Sequence, residues 1–215
     1  MLTIPYIPGL NSLSLPEGTE LLDSVNAQPI SCLNWQQQFP YCPDVHFRMA
    51  HNGEELFIRF TVKEKAVRAL ATQDNGEVYK DSCVEFFIAV DDSGYYYNLE
   101  FSCIGTLLLG YRPGRTGAVH ADAEHLAMVK RYSTLGNQPF AEKKTTGEWA
   151  LTVAIPASSL FAHHLEKWSG LHARMNLYKC GDYLSTPHYL SWAPISTPQP
   201  DFHRPEYFQP VAFQE

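Results

Sequence analysis

The polar residues whose types and spacing could do chemistry together are Asp81, Glu85, Asn98 and Glu100. They lie in VYKDSCVEFFIAVDDSGYYYNLEF, residues 78–101, which reads as two antiparallel strands around the turn Asp91-Asp92-Ser93-Gly94. Successive strand side chains alternate, so Val84, Phe86, Ile88 and Val90 point one way and Cys83, Glu85, Phe87 and Ala89 the other. Beyond the turn, Tyr97, Leu99 and Phe101 continue the apolar face, with Asn98 and Glu100 opposite. A wet face of this kind fits an ordinary solvated sheet surface. Rimmed by Tyr79, it also fits a surface that holds sugar hydroxyls.

Catalysis is the first chemistry to weigh. Asp81 and Glu85 share a face, but four residues at about 3.3 Å each separate them by roughly 13 Å. Glycoside hydrolysis uses carboxyl pairs about 5–5.5 Å or about 6.5–9.5 Å apart. Glu85 and Glu100, on neighbouring strands, can approach more closely. A glycoside-acting enzyme using Glu85 with a second carboxylate or a His therefore stays open as an alternative. No G-x-S-x-G, H-E-x-x-H or P-loop occurs. Ser158-Ser159 and His163-His164 read as a polar helix face or loop rather than as parts of a triad. The expectation is a protein without catalytic residues.

Metal and redox chemistry have less support. Cys32, Cys42, Cys83, Cys103 and Cys180 form no C-x-x-C pair, and no Cys/His cluster has zinc-ligand spacing. An odd number of cysteines suggests free thiols in a reducing compartment, most of them small buried hydrophobes. Asp91-Asp92-Ser93-Gly94 offers hard oxygens, but it lacks the spaced ligands of an EF-hand loop. A structural calcium is conceivable without a motif behind it. No metal ligand and no cofactor is expected.

Binding is better supplied. Sugar sites pair flat rings with amides, carboxylates and guanidinium groups. The chain holds 12 Phe, 12 Tyr and 4 Trp, more rings than core filling readily uses. Tyr79, just before the acidic strand, and Trp192, in HYLSWAP, are candidate platforms. A core tryptophan is the plainer reading of Trp192. Arg174, Asn176 and Tyr178 share a face that could extend the surface begun by Glu85 and Asn98.

The elements that must position these residues are mostly strands. Val45–Ala50 and Glu55–Val62 flank His51-Asn52-Gly53-Glu54, a strong hairpin signal. Ile104–Tyr111, Trp149–Ile155 and His172–Cys180 alternate likewise, and Val211–Phe213 can close a sheet. The segment from Pro156 to Trp168 is the candidate for one short helix. Residues 1–30 read as an irregular lead-in broken by Pro5, Pro8 and Pro16, and Arg112 to Asn137 reads as loop. With no repeat and no linker, the expected fold is all-β: one domain over 1–215, an antiparallel β-sandwich or barrel.

Bulk properties narrow the partners. A formal charge of −7 disfavours nucleic acid, whose phosphates call for a basic surface. No apolar run approaches the roughly 20 residues of a membrane span, so no membrane partner is expected. The N-terminus lacks the basic region of an export signal, which suggests a soluble, cytoplasmic protein.

VYKDSCVEFFIAV, YYYNLEFSCIGTLLLGYR and ARMNLYKCGDYLSTPHYLSWAPISTPQPDFHRPEYFQPVAF together resemble the family 9-like carbohydrate-binding modules. The resemblance spans most of residues 78–213. It rests on an aromatic, then D-S-x-x-E-F-F-I, then R-x-N-x-Y-K, and finally P-D-F-H-R-P-x-x-F. It implies a jelly-roll-like sandwich that binds a mono- or oligosaccharide without catalysis, in a bacterial, carbohydrate-catabolic setting. Relatives hold a terminal sugar between two rings. The first ring falls on Tyr79 and its polar companion on Glu85, with Asp81 beside them. Trp192, Phe202 and Phe208 compete for the second. Asn98, Asn176, His203 and Arg204 become hydrogen-bonding neighbours. Tyr79 stands where relatives often carry Trp, and Gln209 where they usually have Gly. A module that has kept the fold as a structural or protein-interaction unit is the remaining alternative.

Overall fold

A computed structural model describes the backbone of residues 1–215 and the side chains of all but Leu13, Glu17, Gly18 and Thr19. In chain order the strands and helices begin with β1 (Leu2–Ile4), α1 (Leu15–Asp23), β2 (Gln28–Pro29), β3 (Asp44–His51), β4 (Glu55–Lys63) and β5 (Ala66–Ala69). The central strands are β6 (Cys83–Ala89), β7 (Tyr96–Ser102), β8 (Leu107–Arg112) and β9 (Val119–His120). Then follow α2 (Ala123–Met128), β10 (Lys130–Ser133), β11 (Phe140–Lys144), β12 (Glu148–Pro156), β13 (His172–Cys180), β14 (Tyr189–Ser191) and β15 (Gln209–Phe213).

Two sheets form the sandwich. The larger runs β1-β15-β13-β6-β7-β8-β9, with β14 bonded to the end of β13; the smaller runs β10-β12-β4-β3-β2. A two-stranded ribbon of β11 and β5 lies apart from both paths. Between these strands every pairing is antiparallel except β1 with β15. The alternation read from the sequence sets which side chains face inward. Val84, Phe86, Ile88, Leu99 and Phe101 from the larger sheet meet Phe47, Ile58, Phe60, Leu151 and Val153 from the smaller. Each such large apolar side chain stabilises the fold by about 1.5–3 kcal/mol when fully buried. The β3–β4 hairpin turns at Gly53, where φ is +105°, and Asn52 Oδ1 accepts from the backbone N–H of Glu54 and Glu55.

Three sequence expectations need correction. The outer face of the larger sheet is not wet. Cys83, Phe87, Ala89, Tyr96 and Tyr178 form a second apolar cluster there, roofed by Trp35, Ile195, Phe202 and Phe208. The segment from Pro156 to Trp168 holds only a 3-10 turn at Ala157–Ser159. Trp168 anchors its far end by donating from Nε1 to the Ile155 carbonyl and from its backbone N–H to Gly53, which overrides local helix preference. The two α-helices lie instead in the supposed lead-in and loop. Pro16 sits in the first turn of α1, where a missing N–H costs nothing. Asp122 caps α2 by accepting from the His125 N–H at 3.0 Å. The α1 side chains Leu15 and Leu22 pack on Ala50, Phe57 and Ala154, covering the outside of the smaller sheet.

Among the described residues, no helix is long and apolar enough to cross a membrane.

Candidate functional site

The roof over the outer face of the larger sheet is incomplete. It leaves a cleft of about 310 Å³ with Glu85, Glu100 and Leu108 on its floor. Tyr79, Asp182 and Tyr189 stand on one side; Arg112, Arg115, Phe202 and His203 complete the lining with Cys180, Pro200 and Asp201. The roof is anchored at several points. Asn34 accepts from the Ile195 N–H, and Trp35 Nε1 donates to the Thr197 carbonyl at 2.8 Å. Phe202 lies flat on Tyr178, with ring centroids 4.2 Å apart and planes 11° from parallel.

Tyr79 sits in the 3-10 turn Val78–Lys80, half-buried, with its hydroxyl donating to Glu77 Oε1 at 2.9 Å. Tyr189 is clamped edge-on by Phe39 and Trp35, and Asp182 lines the cleft with it. The two tyrosines therefore offer ring surface whose orientation is fixed before any ligand arrives.

The floor is electrostatically unusual. Glu85 and Glu100 are directly opposite one another on β6 and β7, 3% and 4% exposed. Burial pushes the Glu85 carboxyl well above the usual carboxylate range, and the neighbouring Glu100 raises it further. Burial also raises Glu100 to about 7, against the opposing pull of the Asn98 amide and Arg112. Asp182 is raised to about 6, again by burial first. The protonated carboxyl can both donate and accept, which suits hydroxyl ligands. His203 is lowered to about 3 by burial, then by Arg112 and Arg115, so it is neutral at ordinary pH. Its Nδ1 lies 2.9 Å from the Tyr96 hydroxyl, and its Nε2 3.3 Å from Arg112 Nη1.

Of the residues expected from sequence, Tyr79, Glu85, Phe202 and His203 line this cleft. The other six stand outside its lining. Asp81, 1% exposed, pairs with Arg68 at 3.2 Å and accepts from the Leu70 and Ala71 N–H groups, so it clamps the end of β5. Asn98 lies beneath the floor, donating to Glu100 Oε1 at 2.8 Å. Asn176 is bonded to both the N–H and the carbonyl of Ala193. Trp192 packs on the inter-sheet core, edge-on to Phe47. Arg204 pairs with Glu206 at 2.8 Å, and Phe208 is buried against Tyr96 and Phe87. Asp81, Asn98, Asn176 and Arg204 each bond to the protein's own backbone or side chains, although Asn98 Oδ1 and Arg204 Nε have no hydrogen-bond partner.

Sequence reasoning passed over Tyr189, Asp182, Arg112 and Arg115 as site residues. Arg112 and Arg115 fall in a segment read as loop, and Tyr189 was hidden beside the more conspicuous Trp192. Tyr189 is level with Cys83 and Ser102 at one end of the larger sheet and Arg112 with Tyr96 at the other, and no local pattern encodes that both reach the cleft between. Nor did sequence spacing reveal that Cys83, Glu85 and Cys180 come together. All five cysteines are free thiols.

An antiparallel sandwich with a ring-lined, hydroxyl-compatible cleft on one sheet defines a carbohydrate-binding module. The profile of carbohydrate-binding family 9 matches residues 17–213, and the chain belongs to that family. It is similar, at 38% identity and a TM-score of 0.93, to a candidate carbohydrate-binding protein from Bacteroides uniformis ATCC 8492; the match covers 99% of this chain and 98% of that one. Two structures of a family 9 module from Caldicellulosiruptor kristjanssonii share the fold at 9% identity. The glucose complex has a TM-score of 0.58, with 99% of this chain and 95% of that one covered. The cellotriose complex has a TM-score of 0.60, with 99% and 93% covered. A search of the curated proteins returns no match.

Proposed function

We propose that this chain binds a short saccharide, without catalysis, in the cleft between Tyr79, Tyr189 and His203. The observation that carries the reading is the floor: two buried carboxyls, side by side on β6 and β7 where burial disfavours their ionisation, in a cleft lined by two tyrosine rings. A neutral polyol meets donors and acceptors there without desolvating a full set of charges. The cleft volume is at the small end for ligand pockets, about 300–1,000 Å³, which points to one or two sugar rings rather than a long polymer. Family relatives crystallised with glucose and cellotriose make β-linked glucose units the first ligands to try.

Hydrolysis is disfavoured by the same geometry. A hydrolase pair flanks the scissile bond, whereas Glu85 and Glu100 lie side by side on one sheet face. Both would touch the same side of a bound sugar.

Amide chemical shifts recorded during titration with glucose and then cellotriose test the location. Shifts are expected to cluster at Tyr79, Arg112, Asp182, Tyr189 and His203. A cluster confined to another face would remove the cleft from the account.

A further inference from the structure

At one end of the cleft, Glu85 of its floor stands beside two sulfurs, those of Cys83 and Cys180, that the saccharide reading does not use. Cys83 and Cys180 are directly opposite across β6 and β13, with side chains on the same outer face. Glu85 is two residues along β6 and shares that face. One ligand atom from each, the two sulfurs and a carboxylate oxygen, all lie within 4.8 Å of one another. Cys180 Sγ already donates to Glu85 Oε1 at 3.2 Å. The other three cysteines take no part; Cys103, for example, donates to the Arg68 carbonyl on the other side of the strand.

We propose that Cys83, Cys180 and Glu85 form a binding site for a thiophilic divalent cation of the zinc class. Two sulfurs and one carboxylate oxygen are a donor set for a soft or borderline ion, not for calcium or magnesium, which take oxygen alone. Tetrahedral zinc with bonds of about 2.3 Å places its sulfurs about 3.8 Å apart, so the site need contract only slightly. The strands that carry the donors are interior to the larger sheet and hold them in place. Cys180 and Glu85 line the cleft, which gives the ion a path inward. Asp182 lines the cleft together with Cys180 and Glu85. Each bound dication displaces the two thiol protons to solvent, and a proton on Glu85 leaves with them, so the buried site changes by at most one unit of charge. That near balance is what a low-dielectric environment favours.

The test uses the full chain, stripped with a chelator and kept reduced with a phosphine. Cadmium is added with ultraviolet absorption as the readout, and zinc affinity is measured by competition with a chromophoric chelator. One equivalent of cadmium should produce a thiolate-to-metal charge-transfer band. Cys83→Ser and Cys180→Ser should each weaken zinc binding at least about tenfold, and Glu85→Gln by a smaller factor. A Cys32→Ser/Cys42→Ser chain should behave as the parent, and excess calcium should not displace the zinc. Absence of the band in the parent chain would overturn the proposal, and needs no variant to fold. So would a band that survives in a folded Cys83→Ser/Cys180→Ser chain. Saccharide binding by the metal-free protein is a separate measurement, so either reading can fail alone.

Discussion

Glu100 shows how one residue's surroundings decide its chemistry. An ordinary glutamate would have lost its proton well before neutrality, but burial holds this one to about 7. The native state thus keeps a proton that the unfolded chain, titrating near 4.5, has released. Stability from this group is fully present below about pH 4.5 and is lost as pH rises through about 7. Glu85 and Asp182, also raised by burial, act with the same sign. Urea midpoints should therefore fall across that window, and Glu100→Gln should flatten the fall while keeping the Asn98 hydrogen bond. An unchanged slope in the variant would mean that Glu100 ionises normally. The shared orientation of Glu85, Asn98 and Glu100 was legible from the two-residue period of a strand. Their burial was not, because the roof comes from Trp35 and from residues 195–208, both far away along the chain.

At the scale of elements, the cleft depends on how loops are tied to strands. Asn176, on β13, makes two bonds to Ala193 and also accepts from the Leu177 N–H, all of them buried. Asn176→Ala removes the acceptor of the Ala193 and Leu177 N–H groups, leaving the Ala193 carbonyl to Ser191 Oγ alone, and should cost about 1–3 kcal/mol, read as a lowered urea midpoint with an unchanged slope. Gly110 on β8 is a second tie. A Cβ there would come within 2.7 Å of Asn98 Oδ1, pushing the amide that supports Glu100. Gly110→Ala should destabilise the fold by about 1–3 kcal/mol in a thermal melt. The strands themselves were readable, because alternation and the Asn52-Gly53 turn specify them locally. The helices were not: α1 looked broken by Pro16, and the segment before Trp168 is held extended by contacts with Gly53 and Ile155. Tyr189 and Asp182 escaped notice for a related reason. Nothing in HYLSWAP says that the tyrosine, rather than the tryptophan, faces the opening.

Across the whole molecule, the sheets are joined at one end by a buried charge network. Glu64 on the smaller-sheet side pairs with Lys179 of β13 at 3.0 Å and with His188 at 3.4 Å, and accepts from Trp149 Nε1. Burial alone would raise the Glu64 carboxyl, but Lys179 and His188 prevail and hold it at about 2. Lys179→Met should destabilise the protein by about 3–5 kcal/mol, since it strands a buried carboxylate. Adding Glu64→Gln, which keeps an acceptor for Trp149, should recover part of that loss in a double-mutant cycle. Lys179 faces the inter-sheet side with Val84 and lies outside the cleft lining, so neither change should alter which ligand is recognised. The proposed recognition rests on the ring-lined cleft. Isothermal titration of the protein and its Tyr79→Ala variant against a panel of free mono- and oligosaccharides tests that claim most directly. The account predicts saturable binding of at least one sugar by the parent chain. It also predicts about tenfold weaker binding by a variant that melts as the parent does. No heat with any sugar at millimolar concentration, or equal affinity in the variant, would contradict it.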